Sequence, residues 1–265
     1  MQLRRSDIDL QRRMRKQEAK ALGPTLGEFY SQFQGLPGLR GLWYPGVLGE
    51  TGSMVDASGS ARTLTYNGNP TMNLHNNLVP YMSYDGTGDS HRRASEAGLQ
   101  ITGLETYIAA SLRGLTVGAI YRRRAAPTSG DGIIGKYLTT GNQRQYALYM
   151  TTVNVFQISL DGTLANSASA LLPDTGVLDQ WYFLQGRFTP GAELQLRRDD
   201  EVALQTTAVP ASCFATGTDA FWLARGITAA ADAQIDIAAG WLAAAAWPDE
   251  LGDYLFNRSR VLFGI

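Results

Sequence analysis

A single cysteine, Cys213, is the only thiol in this chain, so no internal disulfide can staple it and its stability must come from packing. Histidine is almost as scarce. His75 and His91 are too few for a histidine-rich zinc site, and Cys213 has no Cys-x-x-Cys partner. Charge is thin as well: Asp, Glu, Lys and Arg make up 18% of the residues, against roughly 25% in an average soluble chain, and the net charge is −1. A chain so nearly neutral has no overall field with which to hold nucleic acid or an anionic membrane. No run approaches the roughly 18 uninterrupted apolar residues of a membrane span, so none is expected. The Arg-rich start holds no apolar stretch of secretory-signal length.

What the chain has is glycine and a short-period apolar pattern. The 29 glycines in 265 residues are about 11%, above the roughly 7% average, and hydrophobic residues at 44% can fill a sizeable core. Leu115, Val117, Ala119 and Tyr121 share one face at period two, as do Phe156, Ile158 and Leu160. Further runs of this kind occupy residues 81–84, 133–138, 146–150, 181–188, 194–198, 202–207, 221–224 and 235–242, with Gly, Asp and Asn between them. Such spacing predicts an all-β sandwich of antiparallel strands. Asp161-Gly162 predicts a type I′ hairpin that sets Leu160 and Leu164 on paired strands.

Both ends read differently. Residues 1–23 predict a basic helix, opened by Ser6 with Asp7 and Asp9 in its first turn and stopped at Gly23-Pro24. Its thin stripe of Leu10, Met14 and Ala21 cannot stabilise a lone helix, so it is expected to be an assembly or attachment arm. Residues 24–41, rich in glycine around Phe29, Tyr30 and Phe33, read as a linker with some packing of its own. The sandwich is then assigned to residues 42–265, and residues 41–265 are expected to fold alone. Near the C-terminus, residues 248–257 predict one short helix and Val261-Leu262-Phe263 a final buried strand.

Several motifs resemble those of concanavalin A-like, laminin G-like jelly-roll domains of bacterial and bacteriophage proteins. Gly41-Leu42-Trp43-Tyr44-Pro45 with Asp56-Ala57-Ser58-Gly59 is similar to the family's opening strand and Asp-x-Ser-Gly turn. Tyr84-Asp85-Gly86-Thr87-Gly88-Asp89, the strand from Gly114, Ile133-Ile134-Gly135-Lys136 and the Trp181 strand follow in the family's order. Where the family usually carries an Asn-Gly hairpin, Arg198-Asp199-Asp200-Glu201 stands, which implies a more acidic and longer turn. Arg260-Val261-Leu262-Phe263-Gly264 resembles the closing run of phage versions, which commonly sit behind a short basic helix.

The resemblance implies a non-enzymatic virion structural protein (decoration, head-fibre or tail-associated) on the virion surface, made in the host cytoplasm. Its expected partners are copies of itself, a trimer first, other virion proteins and a cell-surface glycan. The alternatives are a lectin-like carbohydrate-binding module and, third, a glycoside hydrolase. It also implies that no cofactor is required, but that a calcium ion could sit at the rim with Asp85 and Asp89 as metal ligands.

Other chemistry finds little support. Gly130-Asp131-Gly132-Ile133-Ile134-Gly135 matches the dinucleotide fingerprint in letters, yet a loop precedes it and a strand, not a helix, follows. Glycosidases on such sandwiches resemble one another in a Glu-x-Asp-x-x-Glu run, which is missing here; Asp199-Asp200-Glu201 is expected to be solvated and unshifted. No catalytic residue is therefore assigned. Arg122-Arg123-Arg124 reads as a solvated loop. Among the five tryptophans, Trp222 is the candidate for stacking on a sugar, because Phe221 and Leu223 beside it point the other way.

Overall fold

The computed structural model describes residues 26–46, 52–76, 78–128, 130–228 and 232–265. The arm with Leu10, Met14 and Ala21 lies outside the described residues. Helix α1 (Leu26–Ser31) leads into β1 (Leu39–Pro45), β2 (Met54–Asp56), β3 (Thr65–Asn67), β4 (Thr71–His75), β5 (Val79–Ser83) and β6 (Ser90–Arg93). A long loop then reaches β7 (Leu115–Arg123), β8 (Asp131–Lys136), β9 (Tyr146–Met150), β10 (Asn154–Ser159) and β11 (Ser167–Leu172). The rest is β12 (Trp181–Thr189), β13 (Glu193–Arg198), β14 (Glu201–Gln205), β15 (Phe221–Leu223), β16 (Ile235–Ala243) and helix α2 (Asp249–Phe263).

Two antiparallel sheets result. A nine-stranded sheet runs β14-β13-β12-β7-β16-β1-β2, with β5 on β16 and β4 on β5; a seven-stranded sheet runs β11-β10-β9-β8-β15-β6-β3. The central strands of the larger sheet, β7, β12 and β16, are buried on both faces. Leu115, Val117, Tyr121, Leu184 and Leu196 fill the space between the sheets, while Ile120, Phe183 and Trp241 point outward against α1 and α2. A bulge in β16 makes this double burial possible: Ile237 faces Tyr121 and Ala239 faces Ile120, so Ala238 is one residue too many. The extra residue flips the phase. Ile235 and Ile237 point inward before it, and Leu242 does so after it.

The segment read as a linker is part of this core. Phe29 and Phe33 are fully buried with Trp241 and Trp247, and the Tyr30 ring stacks on Tyr44 at 4.0 Å. Its aromatics cover the outer face of β16, which would otherwise expose Trp241. The sandwich therefore begins before residue 42, at least by α1. At the other end the expected strand 261–263 is the last turn of α2. Gly252, Leu255, Phe256, Ser259 and Phe263 are its buried residues, a spacing of three and four that continues the helix to Gly264, which caps it at φ 70°.

Two turns also differ from expectation. Residues 160–166 form a loop in which only Gly162 takes positive φ, and Leu160 and Leu164 are exposed off the strands. Asp161 instead accepts hydrogen bonds from Thr163 and Asn166, a local turn that competes with the hairpin. The Asp199-Asp200 turn is tight, not long, since Arg198 pairs directly with Glu201. Arg122 and Arg123 end β7 and are not loop residues.

Candidate functional site

The residues expected to bind a metal ion are engaged with backbone. Asp85 Oδ1 accepts from the Thr87 N–H at 2.7 Å, and buried Asp89 accepts from the Asn69 N–H at 2.6 Å and the Asp85 N–H at 3.4 Å. Among the described residues no group of three or more His, Cys, Asp or Glu side chains stands ready to hold a metal ion. Trp222 is fully buried among Tyr137, Tyr149 and Val155 and donates its indole N–H to the Tyr137 carbonyl at 3.2 Å. It points away from Phe221 and Leu223 as expected, but Tyr137 and side chains from β9 and β10 cover it, so its ring offers no face to a sugar.

Asp200 and Glu201 in the acidic turn are exposed as expected, but Asp199 is not. Burial pushes the Asp199 carboxyl up to about 6, with its hydrogen bond from the Phe183 N–H at 2.8 Å working in the other direction. It borders a cleft of about 630 Å³ with Asp174, Tyr182, Arg198 and Glu201. Asp174, Tyr182, Arg198, Asp199 and Glu201 each have a structural partner. Arg198 binds Asp174 at 2.6 Å, Glu201, and the buried Asn154 at 3.1 Å; the Tyr182 hydroxyl accepts from the Val177 N–H at 2.6 Å. This is a clamp that ties the 173–180 loop to the β13–β14 hairpin.

His91, also fully buried, titrates with the opposite sign. Its Nδ1 accepts from the Tyr84 hydroxyl at 2.8 Å and its Nε2–H donates to the Gly52 carbonyl; burial lowers its pKa to about 4. The unfolded chain protonates this imidazole near pH 6.5 while the folded chain does not until about pH 4, so stability falls as pH drops through that window, by about 3 kcal/mol in all. Asp199 retains in the folded state a proton that the unfolded chain gives up, so it contributes stability as pH falls. Urea unfolding between neutral and weakly acid pH should show a shallower loss in His91→Gln and a steeper loss in Asp199→Asn than in the unaltered chain. Identical slopes in all three would refute both assignments.

A second cleft, of about 590 Å³, is built from elements that the fold holds rigidly. Leu39 faces Ala243 and Gly41 faces Leu242, so Arg40 is the extra residue of a bulge in β1, a device that re-aims a side chain. The Arg40 carbonyl accepts from Arg62 Nη1 at 2.7 Å and from the Ser58 hydroxyl at 3.4 Å. Asp56 holds both donors in place. Its carboxylate accepts from the backbone N–H groups of Ser58 and Arg62 at 2.8 and 2.7 Å and from that of Leu42 at 3.2 Å.

The opposite wall is the loop between β6 and β7. Thr102 and Glu105 close it as a capping box does: Glu105 Oε1 accepts from the Thr102 N–H at 2.7 Å, and the Thr102 hydroxyl accepts from the Leu104 N–H at 3.0 Å. Beyond that turn Ile108 is buried while Tyr107 is exposed. The Arg40 guanidinium lies 4.7 Å from the Tyr107 ring centre and donates to its hydroxyl. Leu36, Ile108 and Leu112 give the cleft an apolar lining. Burial and the neighbouring Arg62 charge lower the Arg40 pKa, opposed by Glu105. The guanidinium stays charged, and no carboxylate among the described residues forms an ion pair with it.

No protein-family model and no curated protein matches the sequence. Solved structures do. The receptor-binding domain of botulinum neurotoxin C/D mosaic serotype aligns with a TM-score of 0.62 at 11% identity, over 83% of this chain and 51% of that one. The binding domain of botulinum neurotoxin DC in complex with SialylT gives 0.58 at 11% identity over 83% and 51%. The same domain in complex with rat synaptotagmin II gives 0.56 at 11% identity over 82% and 50%. This fold is a jelly-roll β-sandwich. The chain spans about half the length of those structures, and at such identity they share the fold with it and nothing finer.

Sequence reasoning passed over Arg40, placed in the linker, and Tyr107, placed in no element. One signal for Tyr107 was present. Thr102-Gly103-Leu104-Glu105 is a capping box followed by an aromatic, which marks a built turn in a segment without strand alternation. No local pattern marks the bulge at Arg40, because a bulge is a relation between two strands.

Proposed function

We propose that this chain is a non-catalytic recognition sandwich that holds a glycan in the cleft between Arg40 and Tyr107. The observation that carries the reading is an exposed aromatic ring beside a guanidinium without an ion-pair partner among the described residues, in an open cleft with an apolar lining. Aromatic rings take the apolar face of a sugar, and a few fixed polar groups orient it. The absence of catalysis is part of the proposal: in the other cleft Arg198 engages Asp174 and Glu201, and the Phe183 N–H engages Asp199. The resemblance of residues 260–264 and of the basic first 23 residues to phage proteins supports display of this sandwich on a virion as a homo-oligomer.

An array of bacterial and animal glycans probed with the full chain tests this. Binding to at least one glycan is expected, weakened roughly tenfold or more by Tyr107→Ala, the effect of losing one stacking contact. A blank array, or binding indifferent to Tyr107, would sink the reading.

A further inference from the structure

The shape of the cleft says more than that a sugar fits. Its polar components are unequal: the Ser58 hydroxyl is already turned toward the Arg40 carbonyl and the Ser60 N–H, and the Tyr107 hydroxyl accepts from Arg40. The strong donor is Arg40. Its guanidinium is half-buried, lies beside a second cation in Arg62, and has no carboxylate within ion-pair distance among the described residues. Arg62 differs in this respect, because Glu96 neutralises it. A partly desolvated cation with unused N–H donors is a receptor for an anion, and the planar fork of arginine matches a carboxylate in bidentate fashion.

The position of the charge narrows the ligand. Arg40 is aimed into the cleft by a bulge whose carbonyl is held by two donors, so the guanidinium approaches from a fixed backbone. Tyr107 lies under it, leaving the rest of an exposed ring beside Ile108 and Leu112 for an apolar surface. A free small anion would use the guanidinium and leave that surface wet. A neutral sugar would use the surface and leave the cation unpaired.

Resting on the glycan reading above, we infer that the cleft takes a carboxylate-bearing pyranose, with the carboxylate on Arg40 and the ring's apolar face on Tyr107 and its neighbours. Three ligands and the full chain test it by calorimetry: a disaccharide ending in glucuronic acid, its methyl ester, and the corresponding glucose-terminated disaccharide. The acid should bind roughly tenfold more tightly than the ester, the worth of one charge-assisted contact. Added salt should erode that preference.

Arg40→Gln should bring the acid-to-ester ratio to about one, and Arg40→Lys should restore part of it, the charge being kept and the fork lost. Tyr107→Ala should weaken acid and ester alike, leaving their ratio intact. Melting curves of both Arg40 variants should match the unaltered chain, since the guanidinium contacts the exposed Tyr107. Equal binding of acid and ester to the unaltered protein would overturn the inference and leave the glycan reading standing. Binding of none of the three ligands, together with a blank glycan array, would overturn both.

Discussion

A chain that starts at residue 42 should lose cooperative unfolding, whereas one that starts at residue 26 should keep it. The shorter chain lacks Phe29 and Phe33, both fully buried, and Tyr30, whose ring stacks on Tyr44 and whose hydroxyl donates to the Ala238 carbonyl at 3.3 Å. It also lacks Pro37, whose carbonyl accepts the Trp247 indole N–H at 2.9 Å, and the start of β1. Each buried aromatic removed costs about 3–5 kcal/mol, and three of them match the roughly 5–15 kcal/mol that holds a whole domain together. Trp241 and Trp247 would then face water across the larger sheet. Melting by circular dichroism and binding of a hydrophobic dye report the difference, and Phe33→Ala in the full chain should cost about 3–5 kcal/mol in urea while the exposed Leu78→Ala costs little. A sharp melt for residues 42–265 would return residues 26–41 to the status of a linker.

The mistaken linker shows where sequence reasoning reached its limit. Strands buried on one face or both, such as β7, β12 and β16, were legible, because their period-two runs are dense in Val, Ile, Leu and aromatic residues. Ser167 to Leu172 was not: Ser-Ala-Ser-Ala carries weak strand propensity, and its pairing with β10 along six residues supplies what propensity lacks. Phe29, Tyr30 and Phe33 stand among glycines with neither strand nor long helix period, and only the uncovered face of β16 gives them a destination. Val261 to Phe263 looked like a strand because three apolar residues in a row fit either period; the earlier Phe256 and Ser259 decide for the helix. The candidate site was least legible. Its cation depends on a bulge, its aromatic on a loop, and their meeting on a topology that brings residue 40 to residue 107.

Asp236→Ala should be among the most damaging single substitutions, about 3–5 kcal/mol in urea unfolding, because it strands a cation in a partly dry site. Asp236 is fully buried on β16, directly across from Arg122 on β7 and Ser83 on β5. Its Oδ2 accepts from Arg122 Nε at 2.9 Å and Nη2 at 2.5 Å, and its Oδ1 accepts from the Ser83 hydroxyl at 2.7 Å. Arg124, 3.7 Å from the same carboxylate, also donates to Ser83 at 2.7 Å. The Arg122 guanidinium is further packed at 4.9 Å from the Trp181 ring and 5.2 Å from Tyr81, so without Asp236 it can neither pair nor swing freely into water. The basic run expected to be solvated is thus a fastening between three strands of the larger sheet. Pairing Asp236→Leu with Arg122→Met should recover most of the loss, since two apolar side chains of similar size remove the charge along with its partner. A cost below about 1 kcal/mol for Asp236→Ala, the range of an exposed ion pair, would mean that the carboxylate is not needed to hold β5, β16 and β7 together.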